Sequence, residues 1–232
     1  MENFAYKQII PSKEWLPLPS NLLPDFKEPI PLFWMSFEIL LDVGIKEFYF
    51  VIPFKFKDEI FKYFQVKNKG DFDIEIIDTK KEKKEESDKT NKIKIYLVPS
   101  NEEGTAKALL TLENFLHSPF IVIFGDEFYG WNREELVKEF KRFIKEGIEE
   151  IRKGEVIVLS YLKNINATSS LSLYSPKVLE MIKKRNTIHL EGIEGIKLLP
   201  LNVEYWINVN TKKDYNKLVE EIEKRKKQKV TT

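Results

Sequence analysis

Apolar and polar positions change period several times along this chain, and each change marks an element. Residues 32–43, Leu-Phe-Trp-Met-Ser-Phe-Glu-Ile-Leu-Leu-Asp-Val, are apolar around most of a helical circumference. They predict a well-buried helix, ended by Gly44 as a left-handed cap. Apolar runs at 48–52, 92–98, 120–124, 156–162 and 203–209 are short and rich in β-branched and aromatic residues, so they predict strands. Residues 72–77 alternate as a half-buried strand does, and 171–174 form a further strand after a polar stretch, 164–170. Helices are predicted over 57–64, 103–116, 177–184 and 212–227. The longest, 133–152, puts Leu136, Val137, Phe140, Phe143, Ile144 and Ile148 on its inner side.

Residues 6–10 predict a first strand, closed by Pro11. Residues 11–31 hold six prolines and read as an extended surface loop. Residues 79–91 are almost all Lys, Glu, Asp, Ser and Thr; they can bury nothing and form a solvated insertion. Strands and helices otherwise alternate, which predicts a three-layer α/β/α, Rossmann-like fold with a mostly parallel sheet between helices. At 232 residues the whole chain, 1–232, is one domain carrying that insertion.

Composition narrows the function classes. A net charge of +1 gives no pull toward nucleic acid or membrane. With no cysteine there is no disulfide framework and no thiolate zinc site, which fits a cytoplasmic protein. No apolar run reaches the length of a membrane span, and the first residues do not read as a signal peptide. The 32% charged fraction, mostly Lys and Glu, leans toward a thermophile.

The sharpest chemical feature is the run Phe120-Ile121-Val122-Ile123-Phe124, read as a central strand, which ends in Gly125-Asp126. Ligands of open parallel sheets bind beyond the carboxyl ends of the strands, where a carboxylate holds a divalent cation and, through it, phosphates. The plainer reading has Asp126 cap a turn or the helix that begins near Asn132. His117 reads as a helix C-terminal cap, and Trp15, Trp34, Trp131 and Trp206 as core or lid aromatics.

Four stretches, in order, resemble the sugar-1-phosphate nucleotidyltransferases, which join a nucleoside triphosphate to a sugar phosphate and release pyrophosphate. Lys27-Glu28-Pro29-Ile30-Pro31-Leu32 with Leu40-Leu41-Asp42-Val43-Gly44-Ile45 resembles the family's GKPLI and LL-AGI segments. Gly104-Thr105-Ala106-Lys107-Ala108-Leu109 is similar to GTA-AL, and Phe124-Gly125-Asp126-Glu127-Phe128-Tyr129-Gly130 to GDNIFYG. Tyr205-Trp206-Ile207-Asn208-Val209-Asn210-Thr211 with Asp214-Tyr215 resembles W-DIGT-EDY. The resemblance implies the nucleotidyltransferase fold, nucleotide-binding positions at Gly104, Thr105, Gly125 and Asp126, and a magnesium pair at Asp126 and Asn208.

It also exposes departures. The family's first strand enters a glycine- and arginine-bearing loop whose amides hold the triphosphate. Here the residues between Ile10 and Leu16 include neither glycine nor arginine, and the loop is about five residues shorter. Lys13 is its only cation; with Lys27 it is the candidate for phosphate contact. The family aspartate at the second metal position is Asn208, so Mg2+ is expected to be weakly held or absent. The hairpin that engages the sugar phosphate in the family is missing or much reduced. Three readings follow: a catalytically silent relative acting as regulator or scaffold, with a homo-oligomer or an active paralogue as partner; a divergent magnesium-dependent nucleotidyltransferase; and a sensor of a nucleotide or sugar phosphate without turnover.

Overall fold

The computed structural model describes residues 15–18, 30–68, 70–77, 92–101, 104–185 and 194–230. The strand expected at 6–10, the insertion at 79–91, Lys13, Lys27 and His189 lie outside the described residues.

Pro17–Leu18 (β1) pairs antiparallel with Ile30–Pro31 (β2), which runs directly into the apolar helix Leu32–Val43 (α1). Gly44 ends α1 at φ 103°, and its N–H and that of Ile45 close back on Leu41 and Leu40. A three-stranded parallel sheet follows, in the order Glu47–Pro53 (β3), Ile93–Ser100 (β5), Phe72–Ile76 (β4). Lys57–Lys67 (α2) connects β3 to β4, and Thr105–Leu110 (α3) follows β5. The helix expected over 103–116 is therefore short: past Leu110 the chain continues as turns. His117 Nε2 meets the Asn114 carbonyl at 3.0 Å within those turns, so it does not cap α3, which ends at Leu110.

The second half is built around a four-stranded mixed sheet and a two-stranded ribbon. Phe120–Val122 (β6), Glu127–Gly130 (β7), Arg133–Lys153 (α4), Ile157–Leu162 (β8), Ala167–Tyr174 (β9), Lys177–Arg185 (α5), Ile196–Pro200 (β10), Tyr205–Asn208 (β11) and Lys212–Val230 (α6) follow in order. The sheet runs β10-β8-β9-β6, parallel only between β10 and β8; the ribbon pairs β7 with β11 antiparallel. The architecture is the mixed α/β expected, with the parallel pairing concentrated in the first half.

Strand alternation explains the layers. Phe48 and Ile52 of β3, Ile95 and Leu97 of β5, Val158 of β8, and Leu171 and Leu173 of β9 enter one core with α1, α2, α4 and α6. Val98, Ile157 and Tyr174 turn the other way, onto Ala106 and Leu109 of α3 and Val178, Leu179 and Ile182 of α5. An aromatic group, Trp15, Phe33, Trp34, Phe37, Phe50 and Phe64, fills the space between α1, α2 and β3: Trp34 is a core residue and the partly buried Trp15 packs against the core. Gly147 lets α4 lie close on the sheet: a Cβ there would be 3.1 Å from Leu173 Cδ2.

Three strand expectations are corrected. Residues 164–170 are not a polar lead-in: β9 begins at Ala167 and forms a hairpin with β8, turned at Asn166 with φ 54°. Tyr161 O–H donates to Asn166 Oδ1 at 2.6 Å across that turn. The sequence pattern missed β10, whose residues are largely exposed. The strand read as central is only β6, three residues at the end of its ladder.

Candidate functional site

Beyond Val122 the chain leaves the four-stranded sheet, turns at Gly125-Asp126, and continues as β7 of the ribbon. β11 pairs with β7 in the register Tyr205 to Gly130, Trp206 to Tyr129, Ile207 to Phe128 and Asn208 to Glu127. The Val209 N–H donates to the Asp126 carbonyl at 2.8 Å, extending the ladder by one bond. The structure thus brings Asp126 and Asn208 together on one ribbon. Gly104 and Thr105 head a separate element, α3, past the carboxyl end of β5; Gly104 is exposed at φ 86°.

Asp126 does not cap α4. Asn132 does, its Oδ1 accepting from the Glu135 N–H at 3.3 Å. Asp126 is instead buried, at 4% exposure.

Alternation places Glu127, Tyr129, Trp206 and Asn208 on one face of the ribbon, and Phe128, Gly130, Tyr205 and Ile207 on the other. The second face is apolar and close-packed. A Cβ at Gly130 would lie 2.7 Å from Phe128 Cε1, so any side chain there would have to displace the buried Phe128 ring. Trp131 follows, with Phe128 at 5.2 Å, Tyr205 at 5.0 Å and the Arg225 guanidinium of α6 at 5.0 Å from its ring.

The first face is polar and buried. Both Glu127 carboxylate oxygens accept from the Ser170 N–H of β9 at 3.0 Å, and one accepts from Tyr129 O–H at 2.5 Å. Burial raises the pKa of Glu127; Tyr129, Ser170 and Trp206 act in the opposite direction. The Trp206 indole N–H nonetheless makes no hydrogen bond of ordinary geometry among the described residues. Burial, then the charge and hydrogen bond of Glu127, hold the Tyr129 hydroxyl well above its ordinary range. Ser160 and Ser169 Oγ atoms meet at 2.5 Å behind this group. Asn208 Oδ1, opposite Glu127, is buried with no hydrogen-bond partner among the described residues.

Sequence reasoning did not find the Glu127, Tyr129 and Ser170 group. Glu127 lies beside Asp126, and nothing in the local sequence pattern marks it as buried. Its main partner is 43 residues away, on a stretch read as a loop.

Among the described residues no three His, Cys, Asp or Glu side chains gather to hold a metal ion. Asp126 and Asn208 offer one carboxylate and one amide, while Glu127 is engaged with Ser170 and Tyr129. Magnesium is held by carboxylates completed by water and substrate phosphates. Asp126 would supply one charge to such an ion and Asn208 a neutral oxygen, one negative charge fewer than a pair of carboxylates.

A structure comparison defines the fold class. The chain superposes on a Bacillus anthracis protein assigned as a glucose-1-phosphate thymidylyltransferase and crystallised with sucrose, with TM-score 0.62 and 13% identity over 92% of this chain and 87% of that one. It also superposes on HddC of Yersinia pseudotuberculosis, with TM-score 0.52 and 17% identity over 88% and 90%. No family model matches the sequence, and no curated protein does. The fold is that of the sugar-1-phosphate nucleotidyltransferases, as the four sequence stretches implied, and at these identities the likeness is one of fold.

Proposed function

We propose that this chain is a nucleotidyltransferase-like relative that keeps the fold without the transfer chemistry, and that it works as a regulatory or scaffolding subunit. The observation that carries this reading is the Glu127–Asn208 register pair. The carboxylate on the ribbon's polar face is bound inward to Ser170 and Tyr129, and its partner across the ladder is an amide. Asp126 is then the one carboxylate of the pair expected to hold the cation. The sequence adds an independent argument: residues between Ile10 and Leu16 contain no glycine to admit a triphosphate and no arginine to neutralise it.

A homo-oligomer or an active paralogue of the same fold is the partner this reading requires. A membrane is not: among the described residues no helix is long and apolar enough to cross one. A second reading, a nucleotide or sugar-phosphate sensor, is kept open by the fold shared with a protein crystallised with a sugar.

The test is a thermal-shift titration with nucleoside triphosphates and sugar nucleotides, with and without magnesium, followed by a pyrophosphate-release assay. The scaffold reading expects no magnesium-dependent shift and no pyrophosphate. A shift without product supports the sensor. Pyrophosphate release that disappears in Asp126→Ala overturns both and restores the enzyme.

A further inference from the structure

β6 and β9 are paired at Phe120 with Tyr174, Ile121 with Leu173 and Val122 with Ser172. Continuing that register by two residues places Phe124 opposite Ser170. The ladder ends first, yet neither main-chain group is abandoned. The Ser170 N–H, which a strand would offer to a facing carbonyl, goes to both oxygens of Glu127 at 3.0 Å. The Phe124 N–H goes to Ser170 Oγ at 2.8 Å. Side chains have taken over the two hydrogen bonds that a further register pair would make.

We propose that Glu127 is a ladder surrogate: its carboxylate replaces the Phe124 carbonyl as the acceptor for Ser170, and so holds out of the sheet the turn that carries Gly125 and Asp126. Three observations converge on this role. Glu127 is 2% exposed, so its carboxylate faces protein. Tyr129 O–H reaches the same carboxylate from its own strand, fixing the side chain's direction. On the other edge of β9 the pairing with β8 shifts register between Leu159 and Tyr161, so the sheet is irregular on both sides of Ser170. Without an acceptor there, a buried strand N–H would be left unsatisfied, and the turn at residues 123–126 would lose its anchor on β9. That would loosen the turn and the bond from Val209 to Asp126. Glu127 is thus a positioning residue for whatever the ribbon binds.

Amide hydrogen exchange by NMR on the whole chain tests this. Glu127→Ala removes the acceptor. It is expected to speed exchange at Ser170, Phe124 and Val209 at least about tenfold, while β5 amides such as Tyr96 keep wild-type protection. Glu127→Gln keeps one of the two acceptor oxygens and is expected to give Ser170 a protection clearly between those of the wild type and Glu127→Ala. Equal loss at Tyr96 and Ser170 in Glu127→Ala would mean a general loss of stability and overturn the proposal, as would unchanged exchange at Ser170. Where Glu127→Ala does not fold, Glu127→Gln decides: Ser170 exchanging faster than in the wild type with Tyr96 unchanged supports the surrogate, and equal rates overturn it.

Discussion

Glu127 links the candidate site to pH. Burial raises its carboxyl above the ordinary glutamate value of about 4.3. The folded state therefore binds a proton more tightly than the unfolded chain. The stability this confers is fully present below the unfolded value and is lost as pH rises through the raised folded value. Glu127→Gln carries no such proton. Thermal midpoints of wild type and Glu127→Gln, measured from acid to neutral pH, are expected to diverge over that window, with the wild type falling further. Parallel curves would show that the buried carboxyl does not couple to folding. The sequence marked the neighbouring Asp126 because a carboxylate after an apolar strand is conspicuous by itself. Glu127 was opaque for a physical reason: an acid in a turn reads as solvated, and only the fold brings the Ser170 amide and Tyr129 hydroxyl to it.

At the scale of elements, legibility followed local physics. α1 was visible from its continuous apolar surface and its Gly44 cap, and α4 from an amphipathic stripe that ends at Gly154, φ 116°. Both ends of α4 are closed locally, by the Asn132 side chain and by Gly154. Asn132→Ala removes the first and is expected to cost about 0.5–2 kcal/mol, read as a lower urea midpoint with unchanged slope. A change in slope would place the effect in the unfolded or native ensemble rather than in the cap. β9 was misread at 167–170 because Ala-Thr-Ser-Ser carries no apolar alternation; those residues are strand because β8 pairs with them and Glu127 satisfies Ser170. β10 was missed because it lies at the sheet's edge with Ile196 and Leu198 exposed, so no burial pattern betrays it. Its far end is closed by α4: Arg142 donates to the Pro200 carbonyl at 2.7 Å and Glu139 accepts from the Asn202 N–H at 3.0 Å.

For the whole molecule, the proposed loss of metal chemistry in a nucleotidyltransferase-like fold can be tested at Asn208. The neutral amide faces a buried carboxyl across the ribbon, so the pair carries at most one negative charge. Asn208→Asp would set two carboxyls opposite each other at a cross-strand position, where like charges destabilise. Near a surface, two unit charges about 4 Å apart interact by about 4 kcal/mol, and a divalent cation would convert that repulsion into attraction. Asn208→Asp is therefore expected to melt below the wild type without metal and to recover part of the loss with magnesium, while the wild type stays indifferent to magnesium. The matching measurement is a thermal midpoint for each protein across a magnesium series. A variant insensitive to magnesium would mean that more than one residue separates this ribbon from a metal site, because the inward commitment of Glu127 to Ser170 has changed the geometry along with the charge. A wild type stabilised by magnesium would mean that Asp126 and Asn208 suffice, and the scaffold reading would give way to a ligand-binding one.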